Sequence, residues 1–302
     1  MSHIFDALQR SESESSGADS PTFSLATELL QAAEQKMREA GAMVEPPASA
    51  DSFDANPSSS FKDLERCPVL PVLLRPENRL VAVGKEESLG AEKFRFLAVR
   101  LRQLRQSRPL KKILITSTIP QEGKSTVAAN LACTLARRKK QKTLLLEGDL
   151  RRPTVAAQFG LGKIPGLCEW LAGQTEGINI YRLESLGLWV LPAGAAPQNP
   201  LELMQSGRLS PLMEQLEAWF DWIVIDSPPV LPLADASIWS RLADGTLLVT
   251  RKGTTEKQQL RRGLEALEKS KLLGALVNSS SNASHTDYYQ RYSSSAVDQS
   301  KE

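Results

Sequence analysis

The stretch from Ile113 to Ala136 limits the possible folds of this chain more than any other feature. It reads ILITSTIPQEGKSTVAANLACTLA: an apolar run, a turn with Pro120 and Gly123, and an alanine-rich segment with apolar residues at helical spacing. A strand, a glycine-containing turn and a helix in this order form a phosphate-binding loop, because backbone amides and the positive end of the helix attract an anion. The stretch therefore predicts a nucleotide-binding α/β domain.

Consecutive residues of this turn are the candidate nucleotide ligands: Gln121, Glu122, Gly123, Lys124, Ser125 and Thr126. Lys124 offers a positive charge to the β- and γ-phosphates, and the Ser125 hydroxyl can reach Mg²⁺. Thr118 occupies the place of the first glycine in the G-x-x-x-x-G-K-[ST] pattern, so the written pattern is not met although its context is. The alternative is a turn with only a structural role.

Two further apolar runs end in carboxylates. Buried parallel strands place functional side chains at their carboxyl ends in this way. TLLLEGDLRR places Glu147 and Asp149 on one face of an extended segment, and WIVID ends in Asp226. A nucleotide site needs acids to hold Mg²⁺, and phosphoryl transfer to a hydroxyl uses another to orient or deprotonate the acceptor. We therefore predict catalytic roles for Lys124, Glu147, Asp149 and Asp226. The alternative for Asp226 is a residue that only caps a strand.

Arg151 and Arg152 follow Glu147 and Asp149 in the same motif. They are placed either to neutralise the carboxylates or to contact phosphate, and the sequence favours neither reading.

Apolar strands alternate with amphipathic segments from Ser88 onward, which predicts a doubly wound, mostly parallel sheet of the P-loop NTPase type. We expect one strand from Ile113 to the turn with Pro120, one within 143–152, and others at 188–192, 222–226, 245–251 and 275–278. Helices are expected at 88–106, 124–136, 210–220 and 257–270. The predicted organisation is an extension and linker with short helices (1–87), a nucleotide-binding domain (88–278) and a tyrosine-containing tail (279–302). We expect most of the extension and the whole tail to be disordered, because they are rich in Ser, Pro and polar residues.

Charge and composition exclude several classes of protein. Basic residues concentrate in two clusters, Arg95 to Lys112 and Arg137 to Lys142, without interleaved aromatic residues, which argues against a nucleic-acid partner. The three cysteines are widely spaced and predict neither a disulfide framework nor zinc binding. Both histidines lie near the termini, which excludes a Ser-His-Asp triad in the folded part. The chain has no run of about 18 to 20 apolar residues, so we expect a cytoplasmic protein that reaches a membrane only through a partner.

The motifs together resemble the bacterial tyrosine kinases (BY-kinases) of capsule and exopolysaccharide export, a branch of the MinD/ParA type of P-loop ATPase. The likeness runs from about Ser88 to Asn278. It includes the Walker A motif TSTIPQEGKST, the second motif LLLEGDLRRP and the Walker B motif WIVIDSPP, together with connecting segments such as LPAGAAPQNPLELMQSGRL. Ile119 stands where MinD/ParA proteins carry a signature lysine, which favours the kinase branch over a partitioning ATPase.

The resemblance implies specific roles. ATP phosphates would lie on the Walker A residues, Mg²⁺ would be held by Ser125, Asp149 and Asp226, and Asn278 would contact adenine. Glu147 stands at the place of the family's catalytic aspartate and is one methylene longer. The resemblance also implies autophosphorylation in trans of the tail tyrosines, which are Tyr288, Tyr289 and Tyr292.

Assembly is the remaining expectation from the resemblance. A separate membrane-spanning activator, a polysaccharide co-polymerase, would be the partner, and the chain would form a homo-oligomer. The family's ring-forming E-x-x-R-x-x-R helix appears here as Glu92, Arg95 and Ala98, which lacks the last arginine.

The hypothesis is thus an ATP-dependent protein-tyrosine autokinase that regulates polysaccharide polymerisation or export. One alternative is a nucleotide-controlled scaffold with little phosphotransfer, motivated by Glu147 and Ala98. The other is a MinD/ParA-like positioning ATPase.

Overall fold

The structure, a computed structural model, describes residues 64, 66–83, 88–138, 140–231 and 234–278. Seven strands form one sheet: β1 (Lys112–Ser117), β2 (Thr143–Glu147), β3 (Tyr181–Leu183), β4 (Leu188–Leu191), β5 (Trp222–Asp226), β6 (Gly245–Arg251) and β7 (Leu272–Asn278). The helices of the described part are α1 (Leu89–Ser107), α2 (Lys124–Ala136), α3 (Val155–Gln158), α4 (Leu167–Leu171), α5 (Pro200–Met204), α6 (Leu209–Trp219), α7 (Asp235–Leu242) and α8 (Lys257–Glu265). Each strand predicted from the sequence is present.

The strand order across the sheet is β3-β4-β2-β5-β1-β6-β7. All neighbouring pairs are parallel except β3 and β4, which are antiparallel. The doubly wound, mostly parallel sheet predicted from the sequence is therefore confirmed. β1 lies between β5 and β6, so the turn after β1 opens beside the end of β5.

Side chains of the central strands alternate between two apolar cores because successive residues of a strand point to opposite faces. Ile113 and Ile115 of β1 enter the core that contains α1 and α2, whereas Leu114 enters the core that contains α6 and α7. The second helix, α2, is buried over ten consecutive residues from Val127 to Ala136. The phosphate-binding turn is thus held between a fully buried strand and a buried helix.

The sequence did not predict β3, the short helices α3, α4 and α5, or α7. Short segments such as Tyr181–Leu183 carry no period long enough to identify them as strands or helices. Residues 66–83, which fall in the predicted extension, lie against the sheet domain: Val69 bridges to Arg182, and the Ala82 amide donates to Asn130 Oδ1 at 2.9 Å. The domain boundary at 87/88 stays a prediction. None of the helices in the described part is both long and apolar enough to cross a membrane.

Candidate active site

The phosphate-binding turn has the backbone that its glycine predicts. Gly123 is the N-cap of α2 with φ of +92°, in the left-handed region that favours glycine. A Cβ at this position would lie 2.2 Å from Nδ2 of Asn278, which donates a hydrogen bond to the Glu122 carbonyl at 2.9 Å. Gln121 also has a positive φ, +67°, although it carries a side chain. The turn is therefore closed tightly under the end of β7, where Asn278 lies.

Thr118, which replaces the first glycine of the usual pattern, is fully buried. The space for its side chain comes from Gly263 on α8, where a Cβ would lie 2.9 Å from Thr118 Cγ2 and Oγ1. A glycine missing from the turn is thus matched by a glycine in the helix that packs over it. This pairing explains how an incomplete sequence pattern still gives the expected loop.

Lys124 forms the charged centre of the site. Its Nζ lies 2.8 Å from Asp149 Oδ2 and 3.8 Å from Asp226 Oδ1, at the carboxyl ends of β2 and β5. Burial opposes the charge on Lys124, but Asp226 and Asp149 outweigh it, so the pKa of this lysine is raised. Ser125 Oγ lies 3.3 Å from Lys124 Nζ. The structure thus brings together the lysine, the hydroxyl and two of the three carboxylates that the sequence predicts.

Asp226 is the carboxylate best suited to a metal ion. It is completely buried, and within the described residues neither of its oxygens has a hydrogen-bond partner. Burial raises its pKa, while Lys124 and the nearby Ser125 hydroxyl, which faces it without a well-formed hydrogen bond, lower it. A buried carboxylate with two unsatisfied oxygens beside a serine hydroxyl matches the oxygen donors that Mg²⁺ prefers. Ser125, Asp149 and Asp226 therefore fit the predicted metal site.

The carboxylate of Glu147 is hydrogen-bonded to backbone amides, unlike that of a base that is free to accept a proton. Its Oε1 accepts hydrogen bonds from the backbone amides of Thr154 and Val155, the latter at 2.6 Å, and Oε2 accepts from the Ala193 amide at 2.9 Å. Burial raises the pKa of Glu147 to about 7, although these three amides lower it. The carboxylate thus joins the start of α3 to the loop after β4. Glu147 itself is paired in register with Asp226 on the neighbouring strand, β5.

Glu122 was predicted among the nucleotide ligands, and its side chain turns away from the turn's anion-binding face. Its fully buried carboxylate accepts hydrogen bonds from the Ile119 amide at 2.9 Å, the Arg251 amide at 3.3 Å and the Thr255 hydroxyl. The side chain instead ties the turn after β1 to the turn after β6.

Within the described residues, the side chains of the two arginines in the second motif form no ion pair with Glu147, Asp149 or Asp226. Arg151 binds Asp235 through Nε at 2.7 Å, and Arg152 is exposed, with its backbone amide donating to Asp149 Oδ1 at 3.1 Å. Between them and the strand, Gly148 is required because Trp239 packs where its Cβ would lie, at 2.6 Å. Trp239 and Thr255 were not predicted as supports, since each joins the site from more than 80 positions away, whereas Asp235 follows the Walker B motif in the family resemblance.

The remaining predicted residues have different outcomes. Thr126 lies in the first turn of α2, half-buried, where its carbonyl accepts from Asn130 Nδ2 at 2.8 Å. Tyr288, Tyr289 and Tyr292 lie outside the described residues.

A cavity of about 590 Å³ opens between α4 and α5, lined by Glu169 and Glu202 among others, and contains none of the predicted site residues.

Several bacterial tyrosine-protein kinases are similar to this chain in sequence and in structure, although no family model matches the chain. Tyrosine-protein kinase YwqD of Bacillus subtilis is 38% identical over 217 residues, which cover 71% of this chain and 91% of that protein. Tyrosine-protein kinase CpsD of Streptococcus agalactiae is 34% identical over 64% of this chain and 86% of its own. The kinase domain of the Escherichia coli tyrosine kinase ETK aligns with a TM-score of 0.62 and 30% identity, over 66% of this chain and 79% of that one.

A further solved structure, the chimerical protein CapA2B2, aligns with a TM-score of 0.62 and 32% identity, over 70% of this chain and 93% of its own. The comparisons of sequence and of structure therefore support the same family as the phosphate-binding turn and its carboxylates do. The chain belongs to the bacterial tyrosine-protein kinases.

Proposed function

We propose that this chain is an ATP- and Mg²⁺-dependent protein-tyrosine autokinase that phosphorylates Tyr288, Tyr289 and Tyr292 of a second copy and so regulates exopolysaccharide or capsule polymerisation or export. One observation carries the proposal: Lys124 lies between Asp149 and Asp226, beside the phosphate-binding turn, at the carboxyl end of the sheet. The same edge holds Glu147 and Asn278. The residues proposed to bind nucleotide, hold the metal and transfer phosphate thus lie at the carboxyl end of one sheet.

The described residues divide the work of phosphoryl transfer. The turn from Gln121 to Thr126 binds the phosphates, Lys124 neutralises them, and Asn278 contacts adenine from the end of β7. When bound, Mg²⁺ supplies positive charge to the phosphate oxygens; Ser125, Asp149 and Asp226 would hold it. The tyrosine oxygen attacks the γ-phosphorus, the bond to ADP breaks, and the phenolic proton passes to a carboxylate.

Two roles are open to Glu147 in this reaction. A pKa of about 7 suits a base that works at neutral pH. Its oxygens, however, are engaged by three backbone amides in the ligand-free chain, which suits a residue that positions two loops. A base requires that Oε1 or Oε2 leave these amides when substrate is bound.

The partners in this proposal follow from the family rather than from contacts. A separate membrane-spanning activator would recruit the chain from the cytoplasm to the inner face of the membrane. Self-assembly would differ from a ring built on E-x-x-R-x-x-R, because Ala98 is fully buried against the core and leaves no room for an arginine. Glu92 and Arg95 pair on the surface at 2.6 Å.

Mass spectrometry of the purified chain after incubation with Mg-ATP, with and without a candidate activator, tests the proposal. Phosphate is expected on the tail tyrosines of wild type and on none of them in Lys124→Met. Joint replacement of the three tyrosines by Phe is the matched control, because it removes the acceptors and leaves the site intact. ATP binding without tyrosine phosphorylation, even with a verified activator, would contradict the kinase proposal.

A nucleotide-controlled scaffold is the second candidate, favoured by the engagement of Glu147 with backbone amides. This function predicts that Lys124→Met abolishes binding to the activator in a pull-down, while the triple Tyr→Phe variant binds as wild type does. Activator binding that depends on phosphorylated tyrosines would exclude it.

A further inference from the structure

The two basic clusters of the sequence, Arg95 to Lys112 and Arg137 to Lys142, are not used by the nucleotide site. Arg102 and Arg105 lie in the second half of α1, and Arg138 follows α2. The fold brings these three side chains to one cavity of about 180 Å³, whose other lining residues are Gln106, Gln141 and Trp222. Separate stretches of positive charge thus converge on a single surface.

This cavity lies at the amino end of β5, whereas the phosphate-binding turn lies beside its carboxyl end. Trp222 is the first residue of β5, whereas Asp226 of the active site is the last. A strand of this length spans about 13 Å. The arginines of the cavity are therefore not placed to attract the phosphates of a bound nucleotide, and their charge requires another explanation.

Arg102 and Arg138 carry charge that the surrounding protein does not neutralise. Within the described part of the chain, neither side chain has a carboxylate within ion-pair distance, and Arg102 Nε is buried without a hydrogen-bond partner. Burial lowers the pKa of Arg102, and the proximity of Arg138 lowers it further. A buried donor without a partner, next to a like charge, is unfavourable unless an anion occupies the space between.

Contacts within the protein hold part of the cavity wall in place. Arg105 stacks on Trp222, with its guanidinium carbon 4.7 Å from the ring centroid, and donates to the Asp221 carbonyl at 2.9 Å. The Asp221 carboxylate is engaged elsewhere, since its Oδ2 accepts from the Lys142 amide at 2.8 Å. One oxygen of this carboxylate is therefore occupied outside the cavity, while its contacts hold Arg105 in the cavity wall.

We propose that Arg102, Arg105 and Arg138 form a second anion site, for the phosphoryl group of a small soluble phosphate. Guanidinium groups bind tetrahedral oxyanions by paired, charge-assisted hydrogen bonds. The cavity is large enough for one phosphoryl group, and five of its six lining residues are polar or charged. The site stands independently of the proposed kinase function.

The test uses the full chain with Lys124→Met, so that the phosphate-binding turn contributes little, and inorganic phosphate as the probe. NMR of the arginine Nε–Hε groups at constant ionic strength follows Arg102 itself, whose signal is assigned by its loss in Arg102→Gln. We expect a saturable shift of this signal with phosphate. Arg138→Gln should weaken the affinity at least tenfold, which is the effect of losing one charge-assisted hydrogen bond.

Arg100→Gln is the matched control, because Arg100 lies on the same helix, is exposed and does not line the cavity. It should leave the phosphate titration unchanged. A shift that does not saturate, that chloride reproduces, or that survives Arg138→Gln with the same affinity would overturn the proposal. Binding to vesicles that contain phosphatidic acid, without binding to inorganic phosphate, would also overturn it and assign the cluster to a membrane surface.

Discussion

Replacing Glu147 by Gln should remove a pH dependence from the stability of the folded chain. The Glu147 side chain is 1% exposed, and burial raises its pKa from an ordinary 4.5 to about 7. Because the folded chain then holds this proton more tightly than the unfolded chain, the contribution to stability is full below pH 4.5 and is lost as pH rises through 7. A pKa change of this size corresponds to about 3 kcal/mol.

Glutamine isolates this effect because it stays neutral across the range. The free energy of unfolding, from urea titrations followed by tryptophan fluorescence without nucleotide, is compared between wild type and Glu147→Gln at several pH values from 4.5 to 8. We expect the stability of wild type relative to the variant to fall by about 3 kcal/mol over that range. A difference that stays constant with pH would refute the reasoning, because it would mean that the backbone amides keep the carboxylate ionised throughout.

Two further variants distinguish the effect of the Glu147 hydrogen bonds, which clamp two loops together, from the effect of its burial. Glu147→Asp is one methylene shorter and cannot reach both the Thr154–Val155 amides and the Ala193 amide, so it should lose at least one charge-assisted hydrogen bond, about 1.5–3 kcal/mol. Glu169→Gln is the control, since Glu169 also accepts two backbone amides, from Gly166 at 2.7 Å and Ala195 at 2.8 Å, at a less buried position. If Glu147→Asp instead unfolds with the stability of wild type, the proposed clamp is wrong.

Three shorter predictions concern the turn. Gln121→Gly should raise the free energy of unfolding by about 1 kcal/mol, because it removes a side chain from a residue with φ of +67°; urea titration checks this, and a decrease would contradict it. Gly123→Ala should weaken ATP binding at least tenfold by calorimetry through its contact with Asn278, whereas Gly162→Ala, also at positive φ but in open space, should not. Glu122→Gln and Thr255→Val should each lower the free energy of unfolding by about 1–3 kcal/mol, with a double variant less destabilised than the sum; full additivity would show that the two side chains act separately.

The sequence predicted the sheet and the convergence of Lys124 with Asp149 and Asp226 because the features that indicate them are local. A strand, turn and helix around Gly123 and Lys124 follow one another directly, and apolar runs that end in Asp149 and Asp226 meet wherever parallel strands are adjacent. The order of the strands was not needed to place these residues at one edge.

The supports of the site were beyond sequence reasoning because they depend on distant contacts. Nothing near Glu122 indicates that Thr255 binds its carboxylate, and nothing near Thr118 indicates that Gly263 makes room for it. The assignment of Glu147 shows the same limit. Its place in the motif predicted a catalytic carboxylate, whereas its partners, the amides of two loops, became visible only in the fold.

The balance of charge explains why Lys124 and Asp226 remain in contact range without satisfying each other. Two carboxylates, Asp149 and Asp226, lie within ion-pair distance of one lysine in a buried setting, and Lys124 takes the closer partner, Asp149. Asp226 is left with no hydrogen bond from the described residues, although leaving a buried carboxylate in this state is costly. Natural proteins keep such a cost mainly where a ligand offsets it, so the unsatisfied oxygens of Asp226 are themselves an argument for a cation site. The adjacent Lys124 can then turn from Asp149 toward phosphate without stranding a second acid.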